Sequence, residues 1–298
     1  MPPDFEPIVP EPLRPGARVA VIAPSSAFDR ALVFRGLGWL SERYRVEFEP
    51  SLFERQGYLA GSDARRLAEL DRCLRDPGLA AVVTARGGYG LSRIVASADW
   101  AAFRSAPKWL VGFSDATLLH LGALRAGVAS MHAHNVGGLG RGDAKARRGW
   151  VNALESPQQG RTFAELAFWV RGRARGPLVG GNLTLLESAA ASGWLSLPSG
   201  AVLVIEDVTE QAYRVDRMLS ALGAAGVFDR LAGVVVGDFT DCPPSRGTSV
   251  NDVLRERLSA LRVPVAAGLR VGHGDGNEPL ALGLPATLDS ETGTLSVG

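Results

Sequence analysis

Ser114 directly follows the apolar run Lys108–Phe113 and directly precedes Ala116–Arg125, a stretch of helical spacing. A serine in a strand-to-helix turn exposes its hydroxyl, and the amides opening the helix face any oxyanion formed when it attacks a carbonyl. The string Gly112-Phe113-Ser114-Asp115-Ala116 half-matches a nucleophile elbow, with Ala where the second Gly usually stands. Its bland reading is a serine helix cap, with Asp115 favouring the helix amino terminus.

A serine hydroxyl needs a base, nearly always an imidazole oriented by a carboxylate. Four histidines are on offer. His120 lies inside the helix that follows Ser114, on a face expected to be half-buried. His132 and His134 flank Ala133 and share a side if extended, which makes a poor metal site without further ligands. His273 sits among glycines in Gly272-His273-Gly274-Asp275-Gly276-Asn277, where the backbone can approach closely and the ring can reach outward; an exposed loop histidine is its bland reading. Glu206 and Asp207 end the apolar strand Ala201–Ile205, where carboxylates are costly unless partnered or solvated.

Two glycine strings follow or enter strands in the same way. Arg86-Gly87-Gly88-Tyr89-Gly90 lacks the Lys-Ser/Thr of a P-loop and the spacing of a dinucleotide fingerprint. It could be a plain turn, donate an amide to an oxyanion, or use Arg86 to hold a substrate carboxylate. Gly180-Gly181-Asn182-Leu183-Thr184 carries the same ambiguity.

The elements that must position these groups alternate over the first 150 residues. Arg18–Ala23, Arg45–Phe48, Leu79–Thr84 and Lys108–Phe113 read as strands. Phe28–Tyr44, Asp63–Arg75 (with Leu67, Leu70 and Leu74 on one face) and Ala116–Arg125 read as helices. That alternation argues for a parallel sheet covered on both faces, with ligands at the carboxyl ends of its strands. The basic, turn-rich stretch 151–176 reads as an interdomain connection, and 177–298 as a smaller, less regular α+β domain.

The chain has 298 residues, enough to bury a large core without disulfide or metal staples. A net charge of +1 leaves no strong field for nucleic acid or an anionic membrane. Two cysteines, Cys73 and Cys242, exclude a disulfide framework and read as buried thiols of a reducing compartment. The acidic, proline-rich start lacks the pattern of a signal peptide, and no apolar window is long enough to span a membrane, so the expected address is the cytosol.

Taken in order, Leu13-Arg14-Pro15-Gly16, Val19–Ser26, Tyr58–Gly61, Ala85–Gly90 with Ser92-Arg93, Gly112–Thr117, Gly180–Leu186, Glu206–Leu219 and Gly272–Gly283 resemble the murein tetrapeptide LD-carboxypeptidases. That serine peptidase family also includes the microcin C self-immunity peptidases. The resemblance implies a doubly wound amino-terminal domain, a smaller α+β carboxy-terminal domain, and a homodimer. It places the nucleophile on Ser114, the general base on His273 and the orienting acid on Glu206. It further implies oxyanion amides from Asp115 and the Gly87-Gly88 loop, a cytoplasmic cell-wall tetrapeptide as substrate, and no metal or organic cofactor. The segment His132-Ala133-His134-Asn135 departs from the His-Gly-Pro string common in the family, which bears on substrate preference. A self-immunity peptidase cutting an acyl-sulfamate or aminoacyl-nucleotide toxin, and a non-catalytic protein that binds a small anion, are the rival expectations.

Overall fold

A computed structural model of the chain describes residues 6–298. The first five residues of the proline-rich start, on which the expectation of no signal peptide partly rests, lie outside the described residues. Two compact units emerge.

The first unit comprises Pro7–Pro157 with the later segment Glu278–Ala281. Its strands are β1 (Arg18–Ile22), β2 (Arg45–Glu47), β3 (Ala81–Thr84), β4 (Trp109–Gly112) and β5 (Ser130–His132). They are parallel in the order β5-β4-β3-β1-β2, and Leu280–Leu282 joins at the β5 edge. Strands β3 and β4 are buried at every residue, as expected of a sheet covered on both faces. The helices are α1 (Arg30–Ser41), α2 (Asp63–Arg75), α3 (Trp100–Ser105), α4 (Thr117–Ala126), the single turn α5 (Val136–Leu139) and α6 (Ala144–Glu155). Asp29 caps α1 and Ser62 caps α2 through their side-chain oxygens, fixing where each helix begins. The strand order reverses at β1, so the chain leaves β1 and β3 in opposite senses. The loops after β1, β3 and β4 therefore gather at one edge, the usual crevice of such sheets.

The phase of α2 differs from the expected one. Its buried residues are Arg66, Glu69, Leu70, Cys73 and Leu74, while Leu67 is half-exposed. The helix is rotated so that two charged side chains face inward, because the loops above it offer carbonyls and amides to receive them.

The second unit comprises Gln158–Asn277 and Leu282–Gly298, with Glu6 assigned to it. Its sheet has the strands β6 (Arg161–Phe163), β7 (Ala167–Val170), β8 (Arg173–Asn182), β9 (Ala201–Val208), β10 (Leu231–Thr240), β11 (Val265–Ala267), β13 (Pro285–Asp289) and β14 (Thr294–Val297), β12 being Leu280–Leu282 of the first sheet. The order is β6-β14-β13-β8-β9-β10-β11-β7. The central four, β8 to β11, are parallel, and helices α7 (Leu183–Ala191), α8 (Ala212–Ala224) and α9 (Val250–Ser259) fill their crossovers. The outer pairings are antiparallel.

Much of the stretch expected to connect two domains is thus structured: residues 151–155 finish α6, and β6, β7 and the start of β8 belong to the second sheet. Their partners lie more than 90 residues away, as in Arg173 opposite Asp289 and Val170 opposite Val265. Long-range pairing of this kind leaves little local signature. Among the described residues no helix is long and apolar enough to cross a membrane. Cys73 is buried and Cys242 half-buried, both as free thiols.

Candidate active site

In the first unit, Ser114 opens a single 3-10 turn between β4 and α4. Its φ is 65°, the left-handed region that costs a non-glycine residue on the order of 1–3 kcal/mol. The departure from the usual elbow string is accommodated locally. Ala116 is buried, and its methyl occupies the space beside Gly112, where a Cβ would lie 2.8 Å from it and 2.4 Å from Thr84 Oγ1. The small residue needed at the turn is supplied by Gly112, so Ala is tolerated at position 116.

The Arg86–Gly90 loop closes over this turn. A Cβ on Gly87 would sit 2.8 Å from Ser114 Cβ and 3.1 Å from its Oγ, so the loop backbone lies directly against the serine. Ser26, after β1, holds the same loop: its Oγ accepts from the Tyr89 amide at 3.0 Å, and its own amide donates to the Gly87 carbonyl at 3.4 Å. Arg86 is exposed and donates to the Ala27 carbonyl at 2.6 Å, anchoring the loop base at its other side. The Asp115 carboxylate is fully buried and accepts the Leu91 amide at 2.9 Å. Burial pushes it up to about 6, against the Leu91 hydrogen bond and the Arg66 charge, which favour the ionised form.

The remaining first-unit histidines are placed by packing. His120 is buried rather than half-buried, with Nδ1 3.0 Å from Ser130 Oγ and Nε2 3.0 Å from the Gly112 carbonyl. Burial lowers it to about 4, so the ring is neutral. His132 and His134 both set their rings 6.0 Å from that of Phe113, the residue before Ser114. Among the described residues no three His, Cys, Asp or Glu side chains gather in a way that could hold a metal ion.

In the second unit, Glu206 lies near the end of β9, fully buried, and its Oε2 is 2.8 Å from His273 Nδ1. Burial raises the carboxyl above its usual range, and the contact with His273, then Asn182, pulls it back. His273 is 16% exposed at its side chain, with Nδ1 held by the carboxylate. Its loop follows a demanding path. Gly272 has φ +137°, and a Cβ there would meet Glu206 Oε2 at 2.9 Å. The Gly272 amide donates to Asn277 Oδ1 at 3.1 Å, and the Asp238 amide donates to the Val271 carbonyl at 2.9 Å. Asp207, the neighbour of Glu206, is fully occupied structurally: it accepts from Asn182 Nδ2, the Thr184 amide and hydroxyl, and the Val208 amide, all within 2.9 Å. This ties the Gly180–Thr184 string to β9 and leaves Glu206 as the carboxylate that meets an imidazole.

The structure thus brings together Glu206 with His273 in one unit, and Ser114, Asp115 and Gly87 in the other, with Arg86 and Gly88 on the same loop as Gly87. Sequence reasoning missed Arg66 and Asp238. Arg66 is hidden by its position in a helix of charged residues, Asp238 by lying far in sequence from the loop it supports.

Compared with known protein families, residues 19–133 match the LD-carboxypeptidase N-terminal domain and residues 175–288 match the LD-carboxypeptidase C-terminal domain. The chain belongs to the LD-carboxypeptidase family. It is therefore a hydrolase of the peptidase class. The murein tetrapeptide carboxypeptidase of Pseudomonas aeruginosa is 34% identical over 286 residues, covering 91% of this chain and 93% of that protein. The crystal structure of a muramoyltetrapeptide carboxypeptidase from Oxalobacter formigenes superposes with a TM-score of 0.85 at 29% identity, over 94% of this chain and 98% of the other. The microcin C7 self-immunity protein MccF, solved with aspartyl sulfamoyl adenosine, has a TM-score of 0.88 at 22% identity over 98% of both chains, a likeness of fold.

Proposed function

We propose that the protein is a serine LD-carboxypeptidase that hydrolyses the bond between the L-centred diamino acid and the terminal D-Ala of murein tetrapeptide. The observation that carries this reading is the 2.8 Å contact between a fully buried Glu206 and His273 Nδ1. It sets Nδ1 on the carboxylate, and the base for a hydroxyl is then Nε2. Ser114 is the hydroxyl whose backbone is held in a strained turn at a strand end.

In the forward reaction His273 takes the Ser114 proton as Oγ attacks the scissile carbonyl. Glu206 holds the ring in the tautomer that presents Nε2 and stabilises the imidazolium. The amides of Asp115 and of the Gly87-Gly88 backbone receive the oxyanion, at about 3–4 kcal/mol per donor. The C–N bond breaks as His273 returns the proton to the departing D-Ala nitrogen. Water, deprotonated by the same imidazole, then cleaves the acyl ester and restores the serine. Arg86, on the loop over the serine, is the cation assigned to the substrate's terminal carboxylate. The loop carrying His273 runs on directly into Glu278–Ala281, which belongs to the unit of Ser114, so the base and the nucleophile's unit are consecutive in the chain.

The names of the Pseudomonas and Oxalobacter relatives support the same substrate class. On this reading the enzyme acts on recycled wall peptide in the cytoplasm, as a homodimer, a state that sedimentation at micromolar concentration tests. The deciding experiment is D-Ala release from purified murein tetrapeptide by the wild type and by Ser114→Ala. Release by the wild type with loss in the variant is expected. Release by both overturns the serine mechanism, and release by neither moves the reading to the nucleotide-toxin peptidase or to a small-anion binder.

A further inference from the structure

Arg66 and Asp115 grip one peptide group from opposite sides. The Gly90 carbonyl accepts from Arg66 Nη1 at 2.9 Å, and the Leu91 N–H of the same peptide donates to Asp115 Oδ2 at 2.9 Å. Both side chains are completely buried. Arg66 Nη1 also donates to the Pro24 carbonyl, and its Nη2 pairs with Asp63, which in turn binds Arg93 Nε at 2.8 Å. Gly90 itself has φ +144°, a backbone conformation that L side chains rarely adopt.

Two desolvated charges are a costly way to fill space. Apolar side chains of similar volume commonly do it as well or better. What the charges supply is direction: a cation that must face a carbonyl and an anion that must face an N–H. The anion follows the nucleophile in sequence, and the gripped peptide closes the loop whose Gly87 lies against Ser114.

We propose that Arg66 and the Asp115 carboxylate are positioning residues for acyl transfer: by fixing the Gly90–Leu91 peptide they aim the Gly87 and Gly88 amides at the oxyanion. This rests on the serine-peptidase reading above. Neither side chain touches substrate. Each acts through the loop, and the loss of either tilts the donors away from the place where charge develops.

The test compares Asp115→Ala, Asp115→Asn, Arg66→Met, Arg66→Lys and the Asp115→Ala/Arg66→Met double variant with the wild type. A serine-directed fluorophosphonate titrates active sites, so rates are per competent molecule. Donors that matter only in the transition state act on kcat. Asp115→Ala and Arg66→Met should each lower kcat and the phosphonylation rate about 100-fold, the scale of an ångström of misplacement, with KM within about threefold. Asp115→Asn, which keeps an acceptor for Leu91, should recover most of the rate. Arg66→Lys, with one donor direction, should fall about tenfold. The double variant should be no worse than the poorer single one, because both act on the same peptide.

Unchanged kcat per titrated site in these variants, with only a lowered Tm, overturns the proposal, as does a double loss equal to the product of the singles. Should the alanine or methionine variants not fold, Asp115→Asn and Arg66→Lys carry the comparison, and full kcat in Arg66→Lys then overturns it. A wild type that is phosphonylated at Ser114 yet releases no D-Ala removes the substrate reading alone, and the phosphonylation rates still decide the clamp. A wild type that is not phosphonylated overturns both.

Discussion

His273 Nδ1 stands 2.8 Å from Glu206 Oε2, with the carboxylate wholly buried and the imidazole partly exposed. An acid so placed chooses the tautomer of the ring. Glu206→Gln, which keeps the shape and removes the charge, should therefore lower kcat by about 10³–10⁴-fold while KM moves little. Steady-state kinetics on the tetrapeptide check this, and a change of less than tenfold would remove Glu206 from the proposed triad.

The backbone of the Arg86–Gly90 loop lies against Ser114, the proposed nucleophile. Gly87→Ala puts a methyl 2.8 Å from Ser114 Cβ and 3.2 Å from the Phe113 carbonyl, so either the loop or the serine must move. The variant should fold and lose at least about tenfold in kcat/KM, on the argument that small displacements at a reacting centre are costly. Phosphonylation of Ser114 should slow in parallel.

Gly272→Ala combines two penalties. The backbone is at φ +137° and the new methyl would approach Glu206 Oε2 to 2.9 Å. Destabilisation of about 1–3 kcal/mol is expected from the backbone alone, measurable as a lower urea midpoint. Activity should fall further than Gly87→Ala, since both members of the Glu206–His273 pair are displaced.

His120 and Asp115 make stability depend on pH in opposite directions. The native state lowers His120 from 6.5 to about 4, so the neutral ring's contribution is complete above pH 6.5 and is lost as pH falls toward 4. Between pH 7 and pH 5 that loss is about 2 kcal/mol. Asp115 is raised from 3.8 to about 6, so its contribution is complete below pH 3.8 and is lost as pH rises through 6. In urea titrations, His120→Gln should lose less stability than the wild type on going from pH 7 to pH 5. Asp115→Asn should lose more. An unchanged slope in His120→Gln would show that the ring is not held neutral.

The doubly wound sheet was legible because its strands are short β-branched runs closed by proline, glycine or polar residues, with helical periodicity between them. The turn at Ser114 was legible for the same local reason: a serine between a buried strand and a helix has few other places to be. The strands of 161–176 were not legible, since their partners lie about 90–135 residues away and short, charge-flanked segments carry no pattern until they are paired. Of the leucines at helical spacing in α2, Leu70 and Leu74 are buried and Leu67 half-exposed, while burial of Arg66, which spacing does not show, depends on carbonyls at Pro24 and Gly90 from other loops.

By itself, then, the amino-acid sequence determined the class of sheet, the strand-end position of Ser114 and the ordered strings that mark the family, all properties of local pattern. Local pattern left Glu206 and Asp207 open and only the resemblance put the acid on Glu206; tertiary structure is what brings Glu206, 67 residues from His273, onto the imidazole. Adjacent residues on a strand face opposite sides, and only the positions of β8, α7 and the His273 loop determine which side holds the ring and which meets the Thr184 amide and hydroxyl.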